Sequence, residues 1–225
     1  MSRALPTTGP RRWALALAAV LIAVAAGPAS AHDASKHKKE GAGLLAPKPV
    51  ETTSAIDVKL LDLELVDRSG SPVRFKSEAM ADRIVAIDFV YTTCTTICPV
   101  LSALFAQVQD QLGERLGKEA RLVSLSIDPT RDTPKRMAAE ARKFGAGPNW
   151  VWLTGQKQAV DKVLAGLDAY TPDFESHASM ILIGDAKRGT WIRLFGFPSP
   201  DDIVARIEAL IAAREKTETT LKLGD

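Results

Sequence analysis

The stretch Tyr91-Thr-Thr-Cys94-Thr-Thr-Ile-Cys98-Pro99 constrains this chain most, because it holds the only two cysteines in 225 residues. Ahead of it runs Ile84-Val-Ala-Ile-Asp-Phe-Val90, a short apolar run with the length of a buried strand. Behind it, Val100, Leu101, Leu104, Phe105, Val108 and Leu112 recur at helical spacing. Pro99 suits the first helical position, where its missing N–H costs nothing. The pattern predicts a strand, a two-cysteine loop and a helix to about Leu116, with Cys98 at the N-cap and Cys94 in the loop above it. The positive end of a helix, roughly half an elementary charge, favours thiolate over thiol. In a partly helical loop the two cysteines face the same way, with Cα atoms about 6 Å apart and within disulfide range. The same distance lets both sulfurs reach one metal ion at about 2.3 Å each. Cys-x-x-x-Cys is one residue longer than the redox motif Cys-x-x-Cys. The spacing alone therefore leaves redox chemistry and metal binding both open.

The start of the chain bears on the compartment. Residues 1–31 read as a secretion signal: Arg3, Arg11 and Arg12 precede the apolar run Trp13 to Ala26, and Ala29-Ser-Ala31 forms a small-residue cleavage site. The run is shorter than the roughly 20 residues that a membrane span needs. Export to the periplasm follows, with an uncleaved inner-membrane anchor as the alternative. Cleavage removes three of 29 basic residues against 27 acids, leaving a charge near −1. No basic stripe remains, which excludes nucleic-acid binding. Residues 32–54 read as a flexible linker rich in Lys, Gly, Ala and Pro, carrying His32 and His37.

Residues 55–213 are long enough for one core. Ile56 to Val66 alternates as strands do, and a turn at Asp67 to Pro72 lets Val73 to Phe75 pair back as a hairpin. Strands are then expected at 84–90, 122–127, 151–153, 180–183 and 190–194. Helices are expected from Pro99, Pro134, Gln156 and Pro200, the last ending near Ala213 and leaving residues 214–225 as a disordered tail. Strands alternating with helices and closed by a hairpin and helix argue for an α/β sheet. The order resembles a thioredoxin-like fold with an N-terminal β-hairpin and an inserted helix. Sites in such sheets lie beyond the carboxyl ends of the strands. Cys94 and Asp128 should share that edge.

His177 is the only histidine outside the leader-proximal segment. It lies just before the strand at 180–183, in the segment that a thioredoxin-like domain brings against the cysteine loop. Two thiolates and one imidazole rank copper first and zinc second, since soft thiolates suit Cu(I) and imidazole suits copper in either oxidation state. A closed zinc site wants a fourth ligand, and a bare dithiol ranks third. Asp128, Arg131 and Asp132 are expected to orient the cysteine loop from outside the ligand set, with Asp132 or Thr133 capping the helix at Pro134.

Phe89-Val-Tyr-Thr-Thr-Cys94-Thr-Thr-Ile-Cys98-Pro99, Ser126-Ile-Asp128-Pro-Thr-Arg131-Asp132-Thr133 and Ser176-His177-Ala-Ser-Met-Ile-Leu-Ile183 resemble the signature blocks of the Sco/SenC family. Trp152-Leu-Thr-Gly155 resembles a fourth block, and the likeness covers about residues 55–213. The resemblance implies a thioredoxin-like domain holding copper through Cys94, Cys98 and His177. It also implies delivery of copper to, or reduction of cysteines in, the dinuclear copper centre of cytochrome c oxidase subunit II or another copper-enzyme apo-protein. Other periplasmic copper chaperones or thiol reductants would be further partners of what is expected to be a monomer. Thr95-Thr96-Ile97 stands where many members carry Pro-Asp, which makes this loop less negative. The alternative function is a thiol–disulfide oxidoreductase using Cys94 and Cys98, with the order of the two thiols left open. A peroxidase would want Pro and Thr where the chain has Ile87 and Tyr91.

Overall fold

The computed structural model describes residues 52–223. The expected leader and nearly all of the expected linker lie outside the described residues. In chain order the elements are β1 (Thr52–Ile56), β2 (Glu64–Asp67), β3 (Pro72–Arg74), β4 (Ile84–Val90), α1 (Ile97–Leu112), β5 (Ala120–Ser126) and α2 (Pro134–Lys143). They continue as β6 (Trp150–Thr154), α3 (Lys157–Gly166), β7 (Met180–Asp185), β8 (Thr190–Phe195) and α4 (Pro200–Leu223).

All eight strands form one sheet in the order β1-β8-β7-β4-β5-β6-β2-β3. Strand β4 lies inside it and is buried along its whole length, which explains a continuous apolar run in place of alternation. It pairs in parallel with β5, Val90 opposite Ser126, and antiparallel with β7, Ile84 opposite Asp185. The carboxyl ends of β4 and β5 therefore coincide, and the loops after both strands leave the sheet on one edge. Unit α2–β6 adds a further parallel strand beside β5, and hairpin β2–β3 closes that edge antiparallel to β6. Strand β1 covers the opposite edge against β8. Both edges thus end in short strands, which limits pairing with other chains.

Two apolar layers sandwich the sheet. On one face Leu101, Leu104, Phe105 and Val108 of α1 pack with Met137 of α2, Ile203 and Ile207 of α4 and the rings of Trp150 and Trp152. On the other face Val160, Val163 and Leu164 of α3 pack with Leu65, Phe75, Met80 and Trp191. Phe75–Met80 forms a π-helical turn that sequence periodicity did not indicate.

Three expectations need correction. Helix α1 starts at Ile97, so Thr96 is its N-cap and Cys98 lies inside its first turn. Residues 57–63 are not strand, because the chain crosses there from one sheet edge to the other. The expected disordered tail from residue 214 is helical through Leu223. Its anchor is Arg214, whose Nε donates to Asp185 Oδ2 at 3.0 Å, whose Nη2 bonds Oδ1 and whose Nη1 reaches the Asp82 carbonyl at 2.7 Å. Periodicity cannot see an ion pair made with a residue 29 positions earlier.

Candidate functional site

Strand β4 delivers Tyr91 to the sheet edge, and the chain turns there with Cys94 N–H bonding the Tyr91 carbonyl at 3.0 Å. Asp132 holds this turn in place. Its Oδ1 accepts from Thr92 N–H at 2.9 Å and Thr92 Oγ1 at 2.6 Å, while Oδ2 accepts from Ser126 Oγ at 2.7 Å. One carboxylate thereby stitches the loop after β4 to the loop after β5. Burial pushes the Asp132 carboxyl up, against the bonds from Ser126 and Thr92. Thr133 caps α2 through Oγ1, with Pro134 at its first position.

The two thiols sit in unlike settings. Cys94 is half-buried, and its Sγ accepts the backbone N–H of Cys98 at 3.3 Å. Thr96 makes no side-chain capping bond, so the Cys94 sulfur takes one of the free N–H groups at the start of α1. Burial opposes the Cys94 thiolate. Bonds from the Cys98 thiol and N–H, the Thr96 backbone and the Tyr91 hydroxyl outweigh it and bring the thiol down to about 7. Cys98 is only 9% exposed. Burial pushes its thiol up, the bond to Cys94 and the charges of Cys94 and Asp88 add to this, and the Tyr91 backbone opposes it. The helix end therefore serves Cys94, the cysteine outside the helix.

His177 follows the single turn Phe174–Ser176, which Asp173 starts by accepting Glu175 N–H at 3.0 Å. The imidazole lies 5.1 Å from the Phe89 ring, and Nε2 faces the Ala169 carbonyl at 3.0 Å. A carbonyl only accepts, so that bond puts a proton on Nε2. Burial lowers the pKa of His177, against bonds to the Ala169 and Ala178 backbones. This favours the neutral imidazole that can ligate a metal. Cys94, Cys98 and His177 line one cavity of about 30 Å³, together with Phe89, Tyr91 and Met180. Among the described residues no group of three or more His, Cys, Asp or Glu side chains is arranged to hold a metal ion as it stands.

Asp128 and Arg131 stand one layer out. Arg131 Nη1 is 3.3 Å from Asp128 Oδ2, and its guanidinium lies 5.2 Å over Phe174, which meets Tyr91 edge-on at 5.0 Å. They brace the His177 loop against the cysteine loop through two rings and touch neither sulfur in the described contacts. Two residues escaped the sequence reading. Tyr91 has its hydroxyl on Cys94, and this bond pushes the phenol up to about 12. Asp88 is wholly buried in β4. One acid inside a seven-residue apolar run was the available signal for it.

The family model described as SCO1/SenC matches residues 57–212. A SCO1 protein homolog of Bacillus subtilis is 33% identical over 84 residues, which are 36% of this chain and 42% of that protein. The chain spans about half the length of the curated relatives it matches. Among solved structures, ScoI of Bradyrhizobium japonicum with copper bound superposes with a TM-score of 0.55 at 23% identity, covering 70% of this chain and 99% of that one. BsSco, described as a member of the Sco family of cytochrome c oxidase assembly proteins with a disulfide switch, gives a TM-score of 0.58 at 21% identity, over 71% and 97%. Both show the thioredoxin-like Sco fold. No helix among the described residues is long and apolar enough to cross a membrane.

Proposed function

Because the chain belongs to the SCO1/SenC family, we propose that it binds one copper ion through Cys94, Cys98 and His177 and hands it to a periplasmic apo-protein, in the first place cytochrome c oxidase subunit II. The observation that carries this reading is that both thiols and a neutral imidazole line a single cavity. Two thiolates and one imidazole suit Cu(I), and the copper-bound ScoI supports copper as the cargo. To close on the ion through Nε2, His177 gives up its bond to Ala169, worth about 1 kcal/mol. The leader-like residues 1–31 support export to the periplasm, or anchoring on its membrane face.

Cu(I) titration of the reduced protein against a competing chelator tests the site. One tight equivalent is expected, abolished by Cys94→Ala and strongly weakened by His177→Ala. Undiminished binding in either variant would refute the ligand set.

The asymmetry of the thiols supports a second reading. An accessible Cys94 with a lowered pKa beside a buried Cys98 with a raised one is the arrangement of an attacking and a resolving thiol. The Cys94 thiolate would attack a target disulfide, and Cys98 would then close on Cys94 and release the target as a dithiol. Reduction of a subunit II disulfide that needs both cysteines and tolerates His177→Ala would favour this activity.

A further inference from the structure

The cavity between the cysteine loop and His177 measures about 30 Å³, room for no more than about two water-sized bodies. An ion that enters it sheds most of its water and takes its ligands from the wall. Cys94, Cys98 and His177 give three. The wall carries four further side chains with a donor atom: Tyr91, Glu175, Ser179 and Met180.

Two of the four are engaged elsewhere. The Tyr91 hydroxyl is on Cys94, and Ser179 Oγ donates to the Gly196 carbonyl at 3.0 Å. Glu175 is exposed, so water competes for its carboxylate, and a hard oxygen is a poor match for Cu(I). Met180 is 6% exposed and brings a soft thioether to the wall. It is the first residue of β7, three positions after His177. Strand β7 pairs with β4 through Ile181 and Asp88, and the next step of that register sets Met180 beside Phe89. The Phe89 ring meets the His177 imidazole at 5.1 Å, and Phe89 and Met180 belong to one apolar layer. Imidazole and thioether thus stand against the same ring.

We propose that the Met180 thioether is a fourth copper ligand, which joins Cys94, Cys98 and His177 and makes the site prefer Cu(I) to Cu(II) and Zn(II). The proposal rests on the copper reading given above and deepens it, because it names what selects the state of the cargo. Thioether sulfur suits Cu(I). Zinc sites draw instead on thiolate, imidazole and carboxylate, so zinc here would turn to Glu175. Methionine also serves as a filler of irregular gaps, and a filler can be exchanged for leucine with no effect on which metal binds.

The test uses the full, reduced chain as wild type, Met180→Leu and Glu175→Gln, each titrated with Cu(I), Cu(II) and Zn(II) against competing chelators. Leucine nearly conserves the volume, and such swaps cost less than about 1.5 kcal/mol of stability, so the fold survives. Met180→Leu should bind Cu(I) about tenfold more weakly or worse, since even loss of a residue that only supports a ligand costs that much. Its Cu(II) and Zn(II) affinities should stay within about threefold of wild type, and Glu175→Gln should stay within about twofold for Cu(I). X-ray absorption reads the bond itself. In chain grown with selenomethionine at its four methionines, the selenium edge of the Cu(I) form should show a copper neighbour that Met180→Leu lacks. The inference is overturned if Met180→Leu binds Cu(I) as wild type does, or if no selenium has copper beside it. An equal loss for all three ions would overturn it in favour of a packing role. A larger Cu(I) loss in Glu175→Gln than in Met180→Leu would overturn it in favour of the carboxylate. Cys94→Ala judges the copper reading separately. Undiminished Cu(I) binding there defeats that reading and the inference together, whereas loss there with none in Met180→Leu defeats the inference alone.

Discussion

At the scale of single residues, Cys94 and Cys98 show how position divides one chemistry into two. Cys94 has the N–H at the start of α1 and the Tyr91 hydroxyl, whereas Cys98 has burial and a neighbouring negative sulfur. At neutral pH iodoacetamide should therefore label Cys94 first and leave Cys98 unmodified in the folded protein. With its thiol at about 7, the Cys94 rate should level off above that pH and fall about tenfold per unit well below it. Peptide mass spectrometry over a pH series reads this, and faster labelling of Cys98 would reverse the assignment. Asp88 is the other residue whose setting departs from its type. Its Oδ1 accepts from Ser124 Oγ at 2.6 Å, and Ser124 Oγ accepts from Trp150 Nε1 at 2.9 Å, but Oδ2 has no partner among the described residues. Burial pushes this carboxyl up to about 7, opposed by the Ser124 bond. The folded state thus keeps a proton that the unfolded chain releases near pH 4. The contribution to stability is full below that value and is lost as pH rises toward 7, at up to about 1.4 kcal/mol per unit. Urea denaturation should show Asp88→Asn gaining on wild type between about pH 4.5 and 7, with little further change above. A constant difference across that range would mean that Asp88 is already ionised in the fold. The sequence shows an acid inside a buried strand, but its pairing with Ser124 is set by the register of β4 against β5, which no local pattern encodes.

At the scale of elements, the strongly patterned pieces were legible. The apolar run 84–90 is β4 with the expected bounds, and Thr133-Pro134 starts α2 as capping chemistry predicts. The start of α1 was misread by two residues because Pro99 was placed at the first helical position and stands instead at the third, which needs no N–H donor either. The end of α4 was misread for a different reason. Beyond Ala213 the helix has a polar sequence and little apolar stripe, so periodicity falls silent while Arg214 fixes the helix to β7 through Asp185, a carboxylate 1% exposed. Arg214→Ala should leave that buried carboxylate with only Arg188 for a cation, whose Nε is 3.9 Å from Oδ2, and destabilise the fold by about 3 kcal/mol, the low end for a broken buried pair since Arg188 remains and Arg214 is partly exposed. Burial opposes the Asp185 carboxylate, but Arg214 and the Arg188 and Lys187 backbones outweigh it and hold its pKa below the usual range. That stability is present above the unfolded value and is lost as pH falls through the folded one. The variant should therefore show a flatter acid limb in a plot of unfolding free energy against pH, and an unchanged limb would assign the acid sensitivity to other carboxylates.

At the scale of the whole molecule, the site is a product of topology. Cys94, Asp132 and His177 are spread over more than eighty positions of chain. They converge because β4 and β5 end on one edge and the chain entering β7 returns to it. The sequence indicated which residues would meet there, since motif order and strand order agree. It could not indicate that His177 rests on Ala169, because that contact lies within an irregular loop. On the proposed copper reading, the same topology would couple cargo to folding. The proposed ligand set, drawn from two loops and a helix start, is complete only in the folded chain, where His177 joins the two cysteines, so copper bound by all three would stabilise the native state over the unfolded one. At free Cu(I) about 100-fold above Kd the gain is about 2.7 kcal/mol, a rise in Tm of about 5–10 °C for a chain of this size. Scanning calorimetry of the reduced protein should show that rise, a smaller one in His177→Ala and none in Cys94→Ala or after oxidation of the cysteine pair. A rise that survives in Cys94→Ala would place the copper elsewhere. A rise equal in wild type and His177→Ala would mean that the imidazole stays on Ala169, leaving the ion to the two sulfurs alone.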